Sequence, residues 1–475
     1  MKARGMKVRS LLISATVLVA SAFPARGETL YEAMRDAYYF NPSVEAARSN
    51  LRALGETVPI AEAGFLPTLA FQAQQQIDQR LTERNSFPSA SSRPLTGALI
   101  GQINLYDGGE TANNVSQAKA NVEAAYSALN ATEQMTLLSA VDAFFDVLRD
   151  HELRELTREN LKNLQEELDA SKARFEVGEV TLTDVAQAES RVAQANSGLI
   201  QAEGALRNSA AEYRGVVGRL PTKLEPPENL PPLPETLIDA ETDAIATHPT
   251  IRSARANERA AVFAIRSALA DKLPTLDLQG TLQGTLSDSI VGDSLFSNDN
   301  DDTRSASLNL TLTFNAPIYQ GGRVDAEVRQ ARHIASQARA EYHDAVRTVQ
   351  QNVSTSWQAI VTARGSIDAE LQRVRAAQIA FEGVSEELRV GSRDTLDVLN
   401  AEAELLAAQI ALVQAVRNHN VAAYTLLAAI GRLDPESVNL EPVFDAAADP
   451  NKVNGTVSYG YPDDATTAWR FPWRP

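Results

Sequence analysis

The chain repeats itself. The stretch Arg174-Phe175-Glu176-Val177-Gly178-Glu179-Val180-Thr181-Leu182-Thr183-Asp184-Val185 is answered by Glu387-Leu388-Arg389-Val390-Gly391-Ser392-Arg393-Asp394-Thr395-Leu396-Asp397-Val398, with every landmark 213 residues on, Gly178 to Gly391 and Asp184 to Asp397. Gly218-Arg219-Leu220 returns as Gly431-Arg432-Leu433 at the same offset. Earlier landmarks, Asn41-Pro42 against His248-Pro249 and Leu66-Pro67-Thr68-Leu69 against Leu273-Pro274-Thr275-Leu276, are 207 apart, so one change of loop length reconciles the two spacings. A tandem duplication restricts the fold severely, because whatever one half builds the other must build too. It divides the chain into residues 28–220 and 241–433, two repeats of a helix, two strands and a helical hairpin. A proline-rich acidic linker, 221–240, joins them, and a tail, 434–475, follows without periodicity.

Residues 1–27 precede the first repeat. They carry Lys2, Arg4, Lys7, Arg9 and Arg26 with no acid, an apolar run from Leu11 to Ala22, and small residues at Ala25 and Gly27. That pattern reads as a secretory signal peptide and predicts a mature start near Glu28. The apolar run is short for a membrane span, and no other stretch approaches that length. Any insertion into a membrane would therefore have to use strands. The whole chain has a formal charge of −17, and removing those five basic residues takes it to −22. Such a balance opposes nucleic-acid binding. With no cysteine, disulfides, thiolate metal sites, cysteine nucleophiles and a lipid-modified N-terminal cysteine are all excluded.

Each repeated turn reads as the tip of a helical hairpin. Gly178 suits the left-handed residue that ends a helix. Thr181 or Thr183 can cap the next, and Asp184 places a carboxylate in its first turn. No proline occurs from Gly109 to Leu220 or from Gly321 to Leu433. The arm before each turn, Glu110 to Phe175 and Arg323 to Glu387, would reach roughly 100 Å if helical throughout. Downstream, Val185, Ala188, Val192, Ala195, Leu199, Ala202 and Leu206 recur in steps of three and four, and Val398, Ala401, Leu405, Ala408, Leu412 and Ala415 match them. This is a coiled-coil seam with alanine at alternate layers. A filled bundle would also use it, but bulky residues are sparse, which favours a wall one helix thick.

The strands are two-faced. From Thr275 to Leu286 every even position is leucine or glycine and every odd one polar, and from Ser305 to Ala316 the alternation is again unbroken. Thr68 to Ile77 and Gly97 to Tyr106 alternate more loosely. About ten residues suffice to cross a bilayer at a tilt. A half-buried soluble sandwich would alternate in the same way. Three features favour a barrel. The loops Asp78 to Arg93 and Asp288 to Thr303 are long and polar, the remaining strand ends all run into helices, and Tyr106 and Tyr319 occupy matching exits where interfacial aromatics belong. Four strands cannot close a barrel, and open edges in lipid cost several kcal/mol per unpaired group. Several chains must then share one barrel, and three would supply twelve strands.

Chemistry has little to stand on. His151, His248, His333, His343 and His419 have no metal-ligand spacing with acids in register, and no nucleophile elbow, P-loop or dinucleotide fingerprint occurs. Gly108-Gly109 and Gly321-Gly322 read as strand-to-helix corners. The chain is expected to be no enzyme and to need no cofactor. What remains is charge at the turns: Glu176, Glu179 and Asp184 at one tip, Arg393, Asp394 and Asp397 at the other. Such clusters are ordinarily solvated ends. Repeated about a symmetry axis, however, carboxylates become rings that select cations and constrict a pore.

These residues resemble the TolC family of outer-membrane efflux and secretion ducts. The most specific pieces are Arg174 to Val185, Val390 to Leu399 and Ala316-Pro317-Ile318-Tyr319-Gln320-Gly321-Gly322, and the likeness spans Thr29 to about Leu433. The resemblance implies a homotrimer: a transmembrane β-barrel of twelve strands, four per chain, continuing into a long α-helical coiled-coil barrel in the periplasm. It implies a passive exit duct for drug efflux or type I protein secretion, in contact with outer-membrane lipid. Its expected partners are a periplasmic adaptor and an inner-membrane pump or ABC secretion ATPase. It further implies that Asp184 and Arg393 latch the periplasmic gate, that Asp397 and Asn400 form the selectivity ring, and that Val177, Gly178, Val390 and Gly391 are adaptor-docking tips. Asn400 stands where some members have a second aspartate, and Leu388 where a tyrosine assists closure, so the constriction is expected to be less acidic and less firmly latched. The competing reading is a structural periplasmic coiled-coil adaptor or stalk without channel activity, although adaptors carry one hairpin where this chain has two.

Overall fold

The computed structural model describes residues 27–80, 90–227, 229–290 and 303–441. The expected signal peptide up to Arg26, the middle of both polar loops and the tail beyond Glu441, with Trp469 and Trp473, lie outside the described residues.

Three short helices open the described part of the chain: α1 (Leu30–Phe40), α2 (Pro42–Gly55) and α3 (Thr57–Glu62). Thr29 and Glu32 close a capping box on α1, and Asn41 caps α2, whose first residue is Pro42. Strands β1 (Thr68–Gln75), β2 (Asp78–Arg80) and β3 (Ala90–Tyr106) follow, then the hairpin of α4 (Glu110–Glu176) and α5 (Leu182–Val217). The second half runs α6 (Leu237–Thr247), α7 (Pro249–Ala270), β4 (Thr275–Ile290), β5 (Thr303–Asn315), α8 (Arg323–Arg389) and α9 (Thr395–Ile430). The long arms α4 and α8 have 67 residues each, and the returning arms α5 and α9 have 36 each.

Among the described residues one antiparallel sheet holds every strand, in the order β1–β3–β4–β5. β2 pairs with β3 in the register that β1 sets, so the two are one strand interrupted beside Pro94, which has no N–H to give. The ladder bridges the gap where Gln76 N donates to the Pro94 carbonyl at 3.1 Å. Residues 78–80 and 90–93 thus extend the strands into what the sequence reads as loop, because neighbour pairing outweighs the local turn preference of Pro94. β3 and β4 join the two repeats, with a single irregularity between Asn104 and Tyr106.

That register sorts the side chains cleanly. Leu69, Phe71, Leu99, Leu278, Leu282, Leu308, Leu310, Leu312 and Phe314 share one face, while Gln72, Gln102, Gln279, Thr281, Asn309 and Thr311 share the other. The apolar face is bare: Phe71 is 74% exposed and Leu308 76%.

The helices find their core midway along the arms. Tyr38 from α1, Leu137, Val141 and Phe144 from α4, Tyr213 from α5, and Tyr424 and Leu427 from α9 pack as one cluster, joined by Leu433 and Leu440. A second cluster unites Ile251, Val349, Val353, Ile360, Leu426 and Ile430. Together they form a belt around the arms. Glu28 pins the start of the described chain to it, its carboxylate accepting from Tyr213, from Thr222 N at 3.1 Å and from Arg219 at 2.8 Å.

Candidate functional site

The far ends of the two hairpins match in the backbone. Gly178 and Gly391 have φ of +80° and +77°, the left-handed region that a side chain resists. Gly178 N donates to Phe175 O at 3.0 Å and Glu179 N to Arg174 O at 2.9 Å; Gly391 N donates to Leu388 O and Ser392 N to Glu387 O at the same distances. The tips differ in their side chains. Thr181 caps α5 in a reciprocal box with Asp184, whose Oδ2 accepts from Thr181 N and Oγ1 at 2.8 Å each. Its counterpart Asp394 makes no side-chain cap bond. Arg393 instead gathers the charge there, Nε donating to Glu387 at 2.9 Å and NH1 standing 3.5 Å from Asp397. Asp184 and Arg393 are thus each engaged within their own hairpin of a single chain.

The expected docking turns project outwards, Val177 72% and Val390 79% exposed, and open space surrounds both glycines. Asn400 is exposed on α9, and its Oδ1 accepts from Arg191 on α5 at 3.0 Å, tying one hairpin to the other. Tyr106 ends β3, and Tyr319 follows β5; both are exposed.

One turn past Asn400's neighbour Leu399, the seam between hairpins holds acid. Leu399 is buried with Leu164 and Ala195, and Glu402, three residues on, is only 7% exposed. Its Oε1 lacks a hydrogen-bond partner, as does Oε1 of Glu167 on α4. Burial, then the charge of Glu167, pushes the Glu402 carboxyl up to about 7, against the opposing influence of Asn163. Burial raises Glu167 as well, against Arg174. The heptad reading singles out none of Arg191, Glu167 and Glu402. The available signal was spacing, since Glu402 lies midway between Leu399 and Leu405.

Among the described residues no three metal-ligating side chains converge, and no helix is long and apolar enough to cross a membrane.

A bare apolar sheet face at one end, a packed belt, and open hairpin tips at the other have close counterparts. The family model for outer membrane efflux proteins matches residues 34–219 and 242–432. The chain is 37% identical over 434 residues to the outer membrane efflux protein BepC of Brucella suis, covering 91% of each. It is 26% identical over 426 residues to the outer membrane protein TolC of Escherichia coli, covering 87% of this chain and 84% of the relative. A solved structure of CusC superposes with a TM-score of 0.73 at 18% identity, across 84% of this chain and 91% of that one. The chain belongs to the outer membrane efflux protein family and resides in the outer membrane.

Proposed function

We propose that three copies of the chain assemble into a passive exit duct, closed at rest at the helical tips and engaged there by a periplasmic adaptor and an inner-membrane pump or secretion ATPase. The observation that carries this reading is the sheet. It has four long strands, a face of bare leucine and phenylalanine, and two outer edges, on β1 and β5, without a strand partner among the described residues. Unpaired edges are untenable in lipid. Joining β5 of one copy to β1 of the next supports closure, and twelve strands lie within the range of known barrels. The polar face then lines water and the apolar face meets lipid.

At the other end, Arg393 and Asp184 stand on opposite hairpins, both accessible enough to exchange their present partners for those of a neighbouring copy. Each exposed ion pair contributes at most about 1 kcal/mol, so a latch depends on threefold repetition. Asp397 and Asn400 form the ring beside it, and Val177, Gly178, Val390 and Gly391 are the docking turns. The test is single-channel conductance in planar bilayers of detergent-purified protein, together with its mass in detergent. A three-copy mass and a conductance that rises in Arg393→Ser support the duct and its latch. An unchanged conductance removes the latch. A monomer soluble without detergent and silent in bilayers points to a structural stalk.

A further inference from the structure

Glu167 and Glu402 come from different hairpins and flank one seam, each three residues past a leucine, Leu164 or Leu399, that packs in it. Each has a carboxylate oxygen without a hydrogen-bond donor. Neutralising cations are few and already taken. Arg174 NH1 is paired with Glu167 Oε1 at 3.7 Å. From α5, Arg191 is bonded to Asn400 at 3.0 Å, and Glu189 is paired with Lys172 at 3.4 Å. From α8, Arg373 is held by Glu404 at 2.9 Å and by Glu370 at 3.5 Å. Among the described residues no cation lies within salt-bridge reach of Glu402, and the one charge acting on it is that of Glu167. Glu402 is buried without a cation and is costly as an anion, whereas Glu167 is partly exposed and keeps Arg174. A single proton on Glu402 removes the cost by leaving that carboxyl neutral.

We propose that Glu402 takes up a proton to sit neutral in the seam and acts as a proton-operated fastener between the two hairpins, just above the tip. It rests on the duct reading for its consequence at the entrance, though not for its existence. Glu402 follows Asp397 by five residues, about 7.5 Å along α9, so a loosened seam is felt at the ring. The proton comes from bulk water and returns to it. Because the Glu402 carboxyl is raised from 4.5 to about 7, the folded seam binds a proton that the separated hairpins release. The contact is therefore strongest in acid, weakens as pH rises from about 4.5 and reaches its full penalty above about 7.

Hydrogen exchange on the detergent-purified full-length protein at pH 5.5 to 8, corrected for intrinsic rates, tests the fastener. Segments around Leu164 to Leu168 and Leu399 to Leu405 should exchange several-fold faster at the alkaline end. Glu402→Gln should hold them at the slow, acid level at every pH, and Glu402→Met, a second neutral variant should the first fail to fold, should do likewise. Exchange that is independent of pH in the native protein, or equally pH-dependent in a folded variant, overturns the proposal. Bilayer conductance measured over the same range separates the two readings: silence at every pH sinks the duct, while exchange alone decides the fastener.

Discussion

The belt and the tip are made from the same four long helices, yet they cohere by different means. At the belt, α1, α6 and the segment after α9 pack onto the arms, and whole aromatic rings disappear: Phe144 and Tyr213 are fully buried, and Phe144 meets Phe145 edge to face at 5.7 Å. Towards the tip the contacts shrink to small clusters, Leu168 with Val185 and Ala188, and Leu405 with Ala377 and Ala408. Stabilisation scales with apolar area removed from water, about 25 cal/mol per Å², so alanine layers hold far less than rings. Local stability follows density of burial. The belt is built to stay assembled and the tip to come apart cheaply.

Three substitutions probe that contrast. Phe144→Ala should cost about 3–5 kcal/mol, since it empties a filled site in the belt. Thermal unfolding followed by circular dichroism would register it, and a loss below about 1 kcal/mol would mean that the belt is loosely packed. Gly431→Ala should come next. At φ +82° a side chain is strained, and an added Cβ would lie 2.8 Å from the His248 Cα, so strain and overpacking together reach on the order of 3 kcal/mol. Gly178→Ala should cost least, about 1–2 kcal/mol, from backbone strain alone, because nothing lies within 4 Å of the added methyl. Faster hydrogen exchange around Val177 to Thr181 at an unmoved melting temperature would mark it as local. Equal costs at the two glycines would erase the distinction between belt and tip.

What could be read in advance followed the range of the forces involved. The tip turns were legible because glycine at the left-handed position and a threonine three residues before an acid act within one turn of chain, and Thr181 with Asp184 does form that box. β4 and β5 were legible in their facing because alternation in Thr275 to Leu286 and Ser305 to Ala316 is unbroken. Strand order was not, since a period of two assigns a face and names no neighbour, and β3 lying beside β4 depends on two halves of the chain meeting. The extension of β3 back through Pro94 was hidden by a residue that usually breaks strands. Glu402 escaped notice for a similar reason: a glutamate among alanines and leucines passes for a solvated position until the register of α9 against α4 buries it. Nor does a sequence reveal that Asp184 and Asp397, at equivalent places, choose different partners, Thr181 in one tip and Arg393 in the other.

α4 runs without proline from the belt to the tip, and that gives the molecule a lever. Phe144 is its fulcrum, and about 50 Å of continuous helix separate it from Glu176. A pivot of about 5° there swings the free end sideways by about 4 Å, while atoms beside the fulcrum shift by a small fraction of that. In the duct proposed above, an aperture set by the hairpin ends could therefore widen without repacking a single ring in the middle of the shaft.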